Sequence, residues 1–416
     1  MNPVYFRLHP FCYFVNESQH ACIYDTNQGR MVELDSENSQ IIQKCEANVP
    51  VTLTDRAFLE KLQELNLGTF YESLPFIDAF INDNKKIKSM MFPNNHYLNR
   101  MFISLTNRCN LNCCFCSEDY KLFRKTGCKK WPLNHERQLL DREQWYSLIR
   151  SFRKLGGDEL LFIGGEPLLQ KELLLDLIRF SRMNHIRGFT VYTNGQLLDE
   201  ETLKLFSSYQ VKVKLQLSSL DEDTNESITG VRYGHEEMSG LIENMLGAFI
   251  EVQPVLLVSR YNEHQVEKTI ADLKKISSKL KPILDFLYPK PANPHYSSKW
   301  EGAMYEKTKQ FGKVSIEKLN HLRMYNECLY GQVAVTETGE VLPCPMMRDL
   351  SLGNIANDEL VDILNESNYN DFISMNKDQV GKCSGCSYRY NCSDCRALER
   401  AATGQFEQME YCSLKL

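Results

Sequence analysis

The stretch FISLTNRCNLNCCFC, residues 102–116, decides how the chain is read. An apolar, strand-like run ends at Leu105, and Cys109, Cys113 and Cys116 follow in the spacing C-x3-C-x2-C, with Cys114 inside it. Three thiolates so close together on one loop hold something. Fifteen cysteines occur in all. The start, MNPVYFRLHPFCYF, lacks a basic end, an apolar stretch and a small-residue cleavage site, so a cytoplasmic chain is expected, and there thiols serve metals more often than disulfides.

Working outward, Cys109, Cys113, Cys114, Cys116 and Cys128 form one group, and Cys328, Cys344, Cys383, Cys386, Cys392, Cys395 and Cys412 another near the end. Cys12, Cys22 and Cys45 are scattered and read as small buried hydrophobes. Residues 129–327 are free of cysteine, and from residue 102 onward apolar runs alternate with helical periodicity. The runs are FISLTN (102–107), ELLFIG (159–164), GFTVYT (188–193), KVKLQLS (212–218), PVLLVS (254–259) and ILDFLY (283–288). Between them REQWYSLIRSFRKL, KELLLDLIRFSRM, DEETLKLFSS, HEEMSGLIENMLGAF and EHQVEKTIADLKKIS repeat at helical spacing. Six strand-helix alternations predict an α/β fold with a parallel sheet curled into part or all of a barrel. Cys109, Gly164-Gly-Glu-Pro167, Thr193-Asn-Gly195 and Ser218-Ser-Leu-Asp221 then fall after the first four strands, on one rim.

The rest of the composition sets limits. A chain of 416 residues, 43% apolar and 25% charged, predicts two or three domains. No apolar run approaches the roughly 18 residues of a membrane span, so no membrane partner is expected. A net charge of -6 gives no reason to expect nucleic acid, and the basic run Lys85, Lys86, Lys88 reads as a solvated linker.

With Phe115 before its last cysteine and a strand ahead of it, C-x3-C-x2-C resembles the radical S-adenosylmethionine (SAM) enzymes. That resemblance implies a [4Fe-4S] radical SAM cluster on Cys109, Cys113 and Cys116, with its fourth iron open to SAM. Gly164, Gly165, Glu166 and Pro167 are similar to the family's second motif, which binds the methionine amino group. Glycine there would admit backbone to the ligand, and Glu166 would accept from the ammonium. Ser219 and Asp221 match the family's Ser-x-Asp after strand four, with Glu222 where many relatives have glycine; Ser218 is adjacent. Asn194 is read either as an adenosine contact or as part of an ordinary Asn-Gly turn. Arg232 is read either as a partner of the SAM carboxylate or as a solvated loop arginine.

Cys328 and Cys344 are spaced C-x10-G-x4-C through Gly339, and Cys383, Cys386, Cys392 and Cys395 follow as C-x2-C-x5-C-x2-C before Cys412. By itself the second run also suits a zinc ribbon. The seven in order resemble the SPASM domain of peptide-modifying radical SAM enzymes, which carries two auxiliary iron-sulfur clusters. Here only Ser393 and Asp394 separate the third and fourth cysteines of the run, one residue fewer than usual. The resemblance implies Cys328, Cys344 and Cys395 on the nearer cluster, and Cys383, Cys386, Cys392 and Cys412 on the farther. Seven thiolates for two clusters leave one iron for a substrate thiolate, unless Cys45 or Cys128 closes it.

Residues 1–95 read as hairpins followed by helices, with Asp35 as a helix cap. The pattern resembles winged-helix leader-recognition domains of ribosomal peptide maturases, which add a leader peptide as a strand; a packing or dimerisation domain is the alternative. The expected architecture is this domain at 1–95, a partial (β/α)6 radical SAM barrel at 96–300 and a SPASM iron-sulfur domain at 301–416. The expected activity is radical hydrogen abstraction from a ribosomal precursor peptide to install a crosslink, first of all a cysteine thioether. An electron donor such as flavodoxin or ferredoxin would reduce the cluster. A carbon-carbon crosslink, formylglycine formation in sulfatases and a non-catalytic adaptor are the other readings. Pro345, where formylglycine maturases carry aspartate, weighs against the second, and the complete cysteine motif against the third. The segment 117–142 reads as a substrate lid or a surface loop, and no general base is identified.

Overall fold

The computed structural model describes residues 3–17, 21–76, 97–116, 138–289, 292–306, 311–412 and 414. The six expected strands are all present: β6 (Arg100–Ser104), β7 (Glu159–Ile163), β8 (Gly188–Thr193), β9 (Lys212–Leu217), β10 (Val252–Val258) and β11 (Ile283–Phe286). They pair in sequence order and in parallel. Parallel strands need crossover connections, and helices α3 (Arg142–Lys154), α4 (Lys171–Met183), α5 (Glu200–Tyr209), α6 (Glu222–Thr229), α7 (His235–Gly247) and α8 (Val266–Ile276) lie in them. Helix α3 starts where Asp141 and Gln144 form a reciprocal capping box, and α4 buries Leu174, Leu175, Leu177 and Ile178.

Alternation along each strand separates two apolar sets. Met101, Ile103, Leu160, Phe162, Phe189, Val191, Val213 and Leu215 belong to the main core under the helices. Phe102, Leu161, Ile163 and Tyr192 point the other way and cluster with Ala334 and Leu342. Those last two come from the C-terminal region, whose strand β12 (Gln332–Val335) pairs in parallel with β6. β12 turns back into β13 (Glu340–Leu342), then β14 (Gly353–Asn354), giving a nine-stranded sheet. Gly339 makes that turn at φ +84°, where a Cβ would also stand 2.7 Å from the Asn354 side chain. The main core continues from Leu98 to Tyr411, so barrel and cysteine-rich region share one interior.

The N-terminal region has its own core. Strands β1 (Tyr5–Leu8) and β5 (Gly68–Tyr71) pair, and β2 (Cys12–Asn16), β3 (Ala21–Asp25) and β4 (Arg30–Leu34) form a meander. Helices α1 (Ser36–Glu46) and α2 (Leu53–Glu64) pack with them. Asp35 caps α1, accepting from the Asn38 N–H. The meander docks on the C-terminal region: Val15, Cys22 and Tyr24 pack with Val314, Leu319, Cys386, Tyr388 and Tyr390. The buried Tyr24 hydroxyl donates to the Ser387 carbonyl at 2.5 Å, and Arg389 pairs with Glu17 at 2.7 Å.

Candidate functional site

Where β6 and β7 end, their loops are bonded together. The Gly165 N–H donates to Thr106 O (2.9 Å) and the Glu166 N–H to Arg108 O (2.8 Å). This approach explains the glycines. A Cβ on Gly165 would lie 2.0 Å from Arg108 O, and one on Gly164, at φ +122°, 2.4 Å from Thr106 O. Glycine here admits the neighbouring loop's backbone, a closer constraint than the ligand approach expected from sequence.

Glu166 ties a third loop to these two. Its wholly buried carboxylate accepts from the Leu168 N–H (3.1 Å), the Thr193 hydroxyl (2.8 Å) and the Asn194 N–H (2.9 Å). Burial pushes its pKa up, while those three donors oppose the rise. About four lone-pair sites with three donors leave room for one more, so the side chain is chiefly a clamp between the loops. Asn194 continues the link, donating to Asn110 Oδ1 at 2.8 Å beside Cys109.

The cysteine loop is held by a helix that sequence periodicity missed. At the end of α6, Thr229 O accepts from the Asn112 N–H and Ile228 O from the Cys114 N–H, both at 2.8 Å. The Leu111 N–H points at Cys109 Sγ (3.4 Å), the kind of donor that stabilises a thiolate. Phe115 is buried with Ile228, Leu257 and Leu287, which fixes the loop from below.

Cys109, Cys113, Cys116, Gly164, Gly165, Glu166 and Asn194 thus meet around one cavity of about 710 Å³, counting its part open to solvent. Ser218, Gln216, Thr229, Tyr233 and Leu257 complete it. Ser219 does not face it: its buried hydroxyl donates to Gln265 Oε1 (2.9 Å) and accepts from the Asp221 N–H (3.0 Å). Strand alternation explains the difference, since Gln216 and Ser218 share the inner face and Ser219 turns outward. Arg232 is also elsewhere, in an exposed cluster with Glu222 (2.9 Å), Asp223 (2.7 Å) and Glu226 (2.9 Å). Pro167 is buried at the start of a short 3-10 turn behind the loop. Asp221 caps α6 through the Thr224 N–H.

The C-terminal cysteines influence one another in two groups. Burial pushes the Cys328 thiol up, and Cys395 and Cys344 add to the rise, so these three lie within one another's field. Cys392 is raised by burial with Asp394, Cys412 and Cys386 contributing, and Cys383 by burial with Asp394 and Cys392 contributing, to about 12. Cys45 joins neither set, being buried in the N-terminal core; Cys128 lies outside the described residues. The Cys328 carbonyl accepts from Arg100 at the start of β6 (3.2 Å), whereas Cys109 follows the end of that strand. The two sites therefore lie toward opposite ends of β6. Among the described residues no three His, Cys, Asp or Glu side chains converge on a single-ion site.

A parallel (β/α) sheet with a thiolate loop at its C-terminal rim, and two more thiolate sets beyond, defines a barrel built to carry iron-sulfur clusters. Family models agree: residues 103–273 match the radical SAM superfamily, and residues 327–387 the iron-sulfur cluster-binding SPASM domain. Residues 103–273 are thus a radical SAM domain and residues 327–387 a SPASM domain. A GTP 3',8-cyclase of Thermodesulfovibrio yellowstonii is 27% identical over 190 residues, 45% of this chain and 56% of that one. The chain spans about half the length of the cyclases of T. yellowstonii and Aquifex aeolicus that it matches. An AdoMet-dependent heme synthase of Methanosarcina barkeri is 25% identical, covering 74% of this chain and 94% of that one. Among solved structures, Streptococcus suis SuiB bound to precursor peptide SuiA superposes over 100% of this chain and 99% of its own, with TM-score 0.55 and 15% identity. The enzyme anSMEcpe with bound AdoMet and the Cp18Cys peptide covers 76% and 93%, with TM-score 0.56 and 20% identity. These two likenesses concern the fold.

Proposed function

We propose that this chain is a peptide maturase that cleaves SAM reductively and abstracts a hydrogen from a ribosomal precursor peptide to install a crosslink, first of all a cysteine thioether. The observation that carries the reading is the single cavity joining Cys109, Cys113 and Cys116 to the Gly164–Glu166 loop, with two further thiolate sets past the barrel. When bound, the cluster and SAM supply a 5'-deoxyadenosyl radical. Cys109, Cys113 and Cys116 would hold the cluster, and the Gly164–Glu166 backbone, Asn194 and Ser218 would position SAM. Leu257 and Tyr233, both buried, would shield the cavity from water.

Three thiolates at Cys328, Cys344 and Cys395 would leave one iron of the nearer cluster for a substrate thiolate. A chain threaded between the two ends would present a cysteine to one and a carbon to the other. The N-terminal meander, seated on the loop at Cys386, supports leader binding at this same end.

The test is mass spectrometry of a short precursor peptide co-expressed anaerobically with the enzyme and then treated with a thiol alkylator. Loss of two hydrogens with loss of one alkylatable cysteine is the expected result. Loss of two hydrogens with every cysteine alkylated would replace the thioether by a carbon-carbon crosslink. Conversion of a cysteine or serine to an aldehyde would contradict crosslinking and favour the formylglycine reading.

A further inference from the structure

The C-terminal region buries three charged side chains together. Lys377 Nζ lies 3.1 Å from Asp394 Oδ1, Arg396 pairs with Asp394 Oδ2, and the three side chains are 8%, 5% and 0% exposed. Buried ion pairs seldom stabilise a fold more than apolar packing does, so each member needs its own explanation. Arg396 has one. It donates to the Phe406 and Gln408 carbonyls and contacts the Met409 sulfur, tying down the segment that leads to Cys412. Asp394 anchors that guanidinium and is neutralised by it. Lys377 has its other contact at Cys392 Sγ, 3.9 Å away, and is the cation of the group that lies against a thiolate.

This charge is placed unequally between the two thiolate sets. Lys377 touches Cys392 and acts on Cys383 and Cys386. The charged groups acting on Cys328 are instead Cys395, Cys344, Arg100 and Asp394. An iron-sulfur cluster gains negative charge on reduction, and its potential responds to nearby charge and to donors aimed at its sulfurs. Low local polarity makes a buried cation more effective than a solvated one.

We propose that Lys377 is a positioning residue that selectively raises the reduction potential of the cluster held by Cys383, Cys386, Cys392 and Cys412. The inference rests on reading those four cysteines as cluster ligands. Its consequence is that loss of the Lys377 charge would make the farther cluster harder to reduce while leaving the nearer one unaffected.

The experiment uses the full-length chain, reconstituted anaerobically, with Cys113→Ala and Cys116→Ala to silence the radical SAM cluster. Iron and sulfide are counted, and both auxiliary clusters are titrated by electron paramagnetic resonance, the farther signal being the one lost on Cys412→Ala. Lys377→Met is expected to lower the farther potential and leave the nearer unchanged, Lys377→Arg to restore it, and Asp394→Asn to raise it. An unchanged farther potential in Lys377→Met with iron intact, or an equal shift of both clusters, would overturn the proposal. If Lys377→Met loses iron, Asp394→Asn decides, because failure to raise the farther potential also overturns it. A parent chain without auxiliary iron would instead contradict the ligand reading itself.

Discussion

Replacing Gly165 by alanine tests the loop architecture at its tightest point. The new Cβ would stand 2.0 Å from Arg108 O, 2.6 Å from Arg108 C and 2.9 Å from Asn107 C. All three atoms are backbone, so no side chain can rotate away. The loops must separate, losing the Gly165 N–H bond to Thr106 O and the Glu166 N–H bond to Arg108 O. Overpacking costs about 1–3 kcal/mol, and two lost hydrogen bonds add about 1 kcal/mol each. The expected destabilisation is therefore about 3–5 kcal/mol, read from urea denaturation by circular dichroism. Gly240→Ala is the control. It lies within helix α7 with nothing within 4 Å of its Cβ, and should be neutral or stabilising by up to about 1 kcal/mol. Equilibrium dialysis of the reconstituted chain should also show weaker SAM binding in Gly165→Ala alone. A Gly165→Ala chain within about 0.5 kcal/mol of the parent, the range of ordinary surface changes, would refute the reasoning.

Glu166→Gln keeps the shape but turns an amide N–H₂ toward a donor, either the Asn194 N–H or the pair at Leu168 and Thr193. Losing a bond to a charged acceptor should cost about 1.5–3 kcal/mol in chemical denaturation and loosen the loop at Asn194. Tyr24→Phe should leave the Ser387 carbonyl unpartnered and destabilise the docked N-terminal region by about 1–3 kcal/mol, seen as earlier proteolysis of that region. Burial pushes the thiols of Cys12 and Cys45 up to about 12, so both stay protonated at pH 8. Iodoacetamide at that pH should leave them unlabelled in the native chain and label them once urea unfolds it, as peptide mass mapping would detect.

The barrel is visible in the sequence because strands buried on both faces read as unbroken apolar runs, and all six form where those runs lie. Helix α6 is different. EDTNESIT has no apolar stripe; it is held by the Asp221 cap and by Asn225, which donates to Ser219 O and Tyr233 O. Its role as anchor of the cysteine loop therefore left no periodic signal. Strand β12 is a four-residue run whose pairing with β6 bridges more than two hundred residues, a fact of topology that composition does not carry. Ser218 was recoverable by counting in twos from Gln216, whereas the family pattern pointed to Ser219. The clamp made by Glu166 needed coordinates, since nothing in Gly-Gly-Glu-Pro says that the carboxylate turns toward Thr193. The segment 117–137 with Cys128, and the basic run at Lys85–Lys88, lie outside the described residues.

Reductive cleavage of SAM is the reaction that the thiolate loop at Cys109, Cys113 and Cys116 would support. The reconstituted chain is incubated anaerobically with SAM and dithionite, and 5'-deoxyadenosine is quantified by liquid chromatography and mass spectrometry in the parent and in Cys113→Ala. The parent is expected to release 5'-deoxyadenosine, and Cys113→Ala none above background. Equal product from both, or none from a parent carrying its full iron complement, would contradict that role for the loop.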